Sequence, residues 1–249
     1  MKFLKLYFIP IILSLLLFPG CDKDNVVSSP VEKSLFDQYK AAIIDAMVAD
    51  SGEIINTLTP VIPANNKLSW MGTPPNQYVL TLIFTKYPDS YRVGDTVLTW
   101  WDVTWVTVYP ELREWHLANS TTADMFLLRT EQLLGLPPAS GNEWIIEAWV
   151  MPQEMIRPAY DNEINDNTAG LFFPDSVSQE YLTWFNGNIV YSYFPAKNKN
   201  GYPWTRLGYT YDWGNTKSEV GLSEYLIKKN SKVIIKSVQK VSDYLKASN

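Results

Sequence analysis

The chain has 249 residues, 46% hydrophobic and 14% aromatic, and a net charge of −5. A chain of this size and balance buries a substantial core and has no broad electrostatic attraction for nucleic acid. With one cysteine, Cys21, and one histidine, His116, it has no disulfide framework and no zinc cluster of the usual Cys/His kind, and any Ser-His-Asp triad would depend on a single residue.

In chain order, Lys2 and Lys5 precede an apolar run from Leu6 to Phe18, followed by Pro19, Gly20 and Cys21. This is the pattern of a secretory signal, and the run is shorter than the ~20 residues a helix needs to span a bilayer. The stretch Leu17-Phe18-Pro19-Gly20-Cys21 resembles a lipobox, with Phe18 and Pro19 departing from the commonest choices. The resemblance implies a cleaved leader over residues 1–20 and a lipidated Cys21, with palmitate-like chains as a membrane anchor; two or three acyl chains suffice for stable anchoring where one is marginal. Cleavage removes two lysines and no acids, which moves the net charge to −7. Residues 21–33 read as a polar tether. Asp22-Lys23-Asp24 is similar to the surface-sorting signals of Bacteroidetes lipoproteins, whereas Asp22 in enteric bacteria implies inner-membrane retention. Localisation is therefore the cell envelope, with the leaflet open.

The remainder, 34–249, reads as a single globular domain. Ser34 and Asp37 open an amphipathic helix through Tyr39, Ile43 and Met47 that stops at Ser51-Gly52. Residues 53–76 are loop. Tyr78–Thr85 and Val97–Val108 read as strands, the second apolar on both faces and therefore central, with Asp102 needing a partner there. Pro110–Ala118 predicts a short helix. A further helix runs from a Thr121/Asp124 cap to Leu134, ended by Gly135 and two prolines. Trp144–Val150 predicts a strand, and Ser178–Phe194 a helix with Tyr181, Phe185, Ile189 and Tyr193 on one stripe. Leu222–Ile227 and Val233–Ser237, joined by Lys228–Lys232, read as a hairpin. The predicted class is α+β, a mixed or antiparallel sheet of about five or six strands with helices packed on it.

Charge is uneven along the chain. Glu143–Glu180 holds eight acids and one base, and Lys217–Asn249 holds seven lysines and three acids. Within the acidic segment, Asp161, Glu163 and Asn165 place hard oxygen donors at alternate positions, with Asp166 next. The loop lacks the glycine and glutamate of an EF-hand, so a calcium site on Asp161, Glu163 and Asp166 competes with an ordinary polar loop. The same carboxylates would serve a glycosidase if they converged with aromatics.

The segment Tyr202 to Asn215 alternates aromatic side chains. Tyr209, Tyr211 and Trp213 form either a platform for a sugar ring, with Arg206 and Asp212 supplying hydrogen bonds, or a core strand whose polar tips are satisfied internally. Together with Gln132–Pro138, Trp149–Pro152 and Gly221–Tyr225, the run Trp204–Asn215 resembles a group of uncharacterised exported bacterial proteins, which implies one continuous domain and no particular activity. Ser223-Glu224 entering an apolar strand is similar to the last motif of ADP-ribosyltransferases, where a glutamate contacts ribose; the partner motifs of that family are not visible. His116 beside Trp115 reads as packed rather than catalytic. The expected function is a lipid-anchored envelope module that binds a ligand or partner, a glycan or an envelope protein. The alternatives are a hydrolase built on the 161–166 loop and an ADP-ribosyltransferase-like enzyme using Glu224.

Overall fold

The first helix, α1 (Leu35–Asp45), starts where its cap predicts: the Ser34 hydroxyl accepts from the Asp37 amide at 3.1 Å and donates to the Asp37 carboxylate at 2.7 Å. The computed structural model describes residues 34–246, so the expected leader, Cys21 and the tether lie outside the described residues. The buried face of α1 carries Tyr39 and Ala42. Tyr39 sets its ring edge against Trp213 at 5.7 Å and donates its hydroxyl to the Gly201 carbonyl.

Ten strands follow in an α+β arrangement. They are β1 (Trp70–Met71), β2 (Tyr78–Thr85), β3 (Thr96–Leu98), β4 (Thr104–Val108), β5 (Trp144–Val150), β6 (Met155–Ile156), β7 (Tyr209–Tyr211), β8 (Val220–Ser223), β9 (Tyr225–Ile227) and β10 (Lys232–Lys240). Eight of them form one sheet in the order β3-β10-β5-β2-β4-β9-β6, with β1 on β2, while β7 and β8 pair separately. Every ladder is antiparallel. The sheet is larger than five or six strands because several short strands come from stretches that read as loop.

Two expectations about the strands are corrected. Val97–Val108 is not one strand, because residues 99–103 bend out of the ladder. Thr99 accepts from Asn230 and donates its amide to the Ser231 carbonyl and its hydroxyl to Lys228. Asp102 is exposed and accepts from the Val103 amide, so its carboxylate needs no buried partner. The expected C-terminal hairpin also does not form. β9 pairs with β4 and β6, whereas β10 pairs with β5 and β3. The two long runs, 96–108 and 225–240, each bend at the same level and pair with one another on both sides of the bend. This lines up far more apolar side chain than a local turn of charged residues would.

Followed round, these ladders close a ring: β2 on β5, β5 on β10, β10 on β3, and β4, the continuation of β3, back on β2. Strand alternation sends Val79, Ile83, Val106, Val108, Ile146 and Ile235 to the inside of this curve. Leu82 and Ile145 face outward, where helices cover them. These are α2 (Glu111–Ala118), α3 (Phe126–Leu133) and α5 (Val241–Lys246), which bring Leu112, Leu133, Tyr244 and Leu245. Each such apolar side chain contributes about 1.5–3 kcal/mol on full burial. α3 begins later than its expected cap, at Phe126 with no side-chain capping bond, and ends at Gly135 in the left-handed region as predicted. α5 is six residues long, too short for a periodic pattern to mark it in the sequence. α4 (Gln179–Tyr193) is capped by Ser178 and buries Tyr181, Phe185 and Tyr193 from the predicted stripe.

Candidate functional site

The site arises where one ladder stops early. β2 and β4 pair only at Thr81↔Val108 and Leu82↔Thr107. The same register would next place Phe84 opposite Trp105, and that rung does not form. In the gap between Ile83–Thr85 and Val103–Trp105 a cleft of about 790 Å³ opens, within the range of small-molecule sites. One wall is α4, through Asn188, Tyr191 and Ser192. Tyr202-Pro203-Trp204, the turn Leu134–Leu136 and the 87–91 and 100–101 segments complete it.

The lining is dominated by aromatic rings that hold one another in place. Trp204 packs edge-on against Trp105 at 6.3 Å and against Trp184 at 5.8 Å, and its indole N–H donates to the Pro158 carbonyl at 2.9 Å. Trp101 donates to the Thr104 hydroxyl at 2.9 Å and takes the edges of Trp100 and Tyr91. Tyr191 and Tyr202 stack at 5.6 Å with an interplanar angle of 18°. Burial, with Tyr191 alongside, pushes the Tyr202 hydroxyl up to about 12, so it stays protonated. At the rim, Trp100 is 71%, Tyr87 62% and Tyr191 60% exposed. Exposed large rings concentrated at one opening mark an interaction surface rather than scattered surface hydrophobics.

Two polar side chains in this lining have unsatisfied atoms. Glu224 sits at the break between β8 and β9, fixed by its backbone N–H, which donates to the Gly208 carbonyl at 2.9 Å. Its Oε2 is shielded from solvent without a hydrogen-bond partner, and burial raises its carboxyl well above the usual range, which favours the neutral acid. Asn188 has an amide nitrogen in the same condition. Among the described residues that line the cleft, Glu224 is the one carboxyl, and none is Lys, Arg or His. Such a lining suits a neutral ligand. It lacks the second carboxylate of a glycosidase pair and the cations that would meet a pyrophosphate.

The residues singled out in the sequence are placed differently. Of Arg206, Tyr209, Tyr211, Asp212 and Trp213, only Tyr211 lines the cleft, and its hydroxyl donates to Asp45 at 2.7 Å. The other four are buried, and apart from Arg206 Nε their side-chain polar atoms are engaged by the chain, as the core alternative requires. Arg206 donates to the Ala46 carbonyl, Tyr209 to Glu53 and Trp213 to Leu136, and Asp212 is held by Arg129 and the Gly214 amide. An exposed platform is thus corrected to an internal one, because Arg206, Tyr209, Asp212 and Trp213 are buried and each bonds to a backbone group or counter-charge inside the fold.

The acidic loop is also committed elsewhere. Asp166 pairs with Arg157, a fully buried guanidinium that also donates to the Asp166 and Thr168 carbonyls, and Asp161 accepts from the Glu163 amide. Among the described residues, no group of three His, Cys, Asp or Glu side chains is placed to hold a metal, and Asp166 of the expected calcium set Asp161, Glu163 and Asp166 faces Arg157 instead. His116 is buried between Trp115 and Phe126 with Nε2 against the Thr130 hydroxyl; burial, then Arg129, lowers it to about 4.

Sequence reasoning missed Trp100, Trp101, Trp105, Asn188, Tyr191, Tyr202 and Trp204 as lining residues. One usable signal was the Trp100-Trp101 pair beside Asp102, a charge too costly for a central strand buried on both faces. The chain matches no protein-family model, no curated protein and no solved structure in the comparisons made.

Proposed function

We propose that this chain is a lipid-anchored binding module of the bacterial cell envelope whose aromatic cleft holds a neutral glycan. The observation that carries the reading is the cleft lining: exposed ring faces at the rim, buried rings behind them, and an uncharged acid and amide with free hydrogen-bonding capacity within. Sugar rings present an apolar face to aromatics and hydroxyls to polar groups, which is what this surface complements. The envelope location and the anchor at Cys21 rest on the leader pattern in the sequence.

The test is retention of the purified protein on a glycan array. Trp100→Ala and Tyr191→Ala remove exposed rings, so they should leave stability within about 0.5 kcal/mol and weaken retention by about 0.5–1.5 kcal/mol each. Retention unchanged in both variants, or no glycan retained by the wild type, would overturn the reading.

A further inference from the structure

The main cleft leads into a side chamber of about 80 Å³ that shares Phe84, Trp105, Leu134, Leu136 and Glu224 with it. The rest of the chamber wall is mostly apolar, with Leu82, Leu112 and Ile145 prominent. Its volume is about a tenth of the main cleft's. That suits a small, mostly apolar substituent.

The backbone beside the chamber has a matching feature. The Leu80 carbonyl accepts from the Tyr109 amide at 3.0 Å, which fixes the residues whose polar groups face across the β2–β4 gap: Leu80, Leu82 and Phe84 on one strand, Tyr109, Thr107 and Trp105 on the other. The Phe84–Trp105 rung is missing, so alternation directs the N–H and C=O of both residues into the gap. The unmade rung leaves two N–H and two C=O groups facing the gap, and a peptide-like group bridges it by accepting from an N–H of one strand and donating to a C=O of the other.

We propose that the bound glycan carries an acetamido group, whose N–H and C=O bridge the gap at the unmade Phe84–Trp105 rung while its methyl enters the apolar side chamber. This rests on the glycan reading above and narrows it to N-acetylated amino sugars. A hydroxyl at the same carbon would leave the chamber empty and offer the gap a single atom in place of a donor and an acceptor set apart. The unpartnered atoms of Glu224 and Asn188 then serve the ring hydroxyls.

Calorimetric titration of the purified protein with N-acetylchitotetraose and with cellotetraose tests this, because the two differ only in the group at C2. The expected result is a preference of about tenfold or more for the acetylated sugar. Leu134→Phe narrows the chamber from a partly exposed position and should bring the two affinities together; the wild-type comparison stands whether or not this variant folds. Equal wild-type affinities would overturn the acetamido assignment and leave the glycan reading in place. Binding of neither sugar, with other glycans retained on the array, would do the same. Binding of neither, with nothing retained on the array, would overturn both.

Discussion

Replacing Asp212 with alanine separates a structural carboxylate from a ligand-binding one. Asp212 is fully buried and receives Arg129 through Nη2 at 2.9 Å and Nη1 at 3.2 Å, with the Gly214 amide at 3.0 Å. The pair ties α3 to the turn after β7. Removing one partner of a buried ion pair costs about 3–5 kcal/mol. The lower end applies here, because Arg129 is 16% exposed and keeps Gln132 and the Trp115 ring as neighbours. About 3 kcal/mol corresponds to a fall in Tm of about 6–12 °C for a domain of this size. Asp212→Asn, which still accepts from Gly214, should lose less, about 1–2 kcal/mol. Urea unfolding at constant m-value measures both, and glycan retention of the folded variants should match the wild type. A stability change under about 0.5 kcal/mol together with lost retention would refute this reasoning and restore Asp212 to the ligand surface.

His116 predicts a pH dependence of stability. Its folded value is depressed from 6.5 to about 4, so as pH falls through this window the unfolded chain takes up a proton that the folded chain refuses. Stability is full above 6.5 and is lost toward about 4, with a slope of up to about 1.4 kcal/mol per pH unit; the difference between wild type and His116→Gln in denaturant unfolding should isolate it. Gly208→Ala should cost about 2–4 kcal/mol in the same assay, because φ is +83° and the new Cβ would lie 2.6 Å from the buried Arg157 Cδ. Cys21→Ser should move the protein from the membrane to the soluble fraction, read by fractionation and blotting.

What the sequence disclosed follows physical range. β2 and β5 fall on the predicted residues, and α1 and α4 start at their serine caps, because alternation and capping are local. The bend at Thr99 and the divergence of β9 from β10 depend on contacts between residues 99 and 228–231, over a hundred positions apart, which no local pattern encodes. The same holds for the cleft. Phe84, Trp105, Trp204 and Glu224 come from four separate stretches, and the gap that joins them is a hydrogen-bonded rung that was never made. Aromatic alternation from Tyr209 to Trp213 is visible in the sequence, yet its hydroxyl and indole groups are consumed within the fold.

The location of the bound ligand is read most directly from the indole N–H resonances of the ten tryptophans as a retained glycan is titrated in. Trp100, Trp101, Trp105 and Trp204 should shift together and saturate with one affinity, while Trp70 and Trp213 stay in place. Shifts centred on Trp115, in the open groove beside Arg129 and Lys217, or on Trp213, would contradict the assignment of the β2–β4 cleft as the binding site.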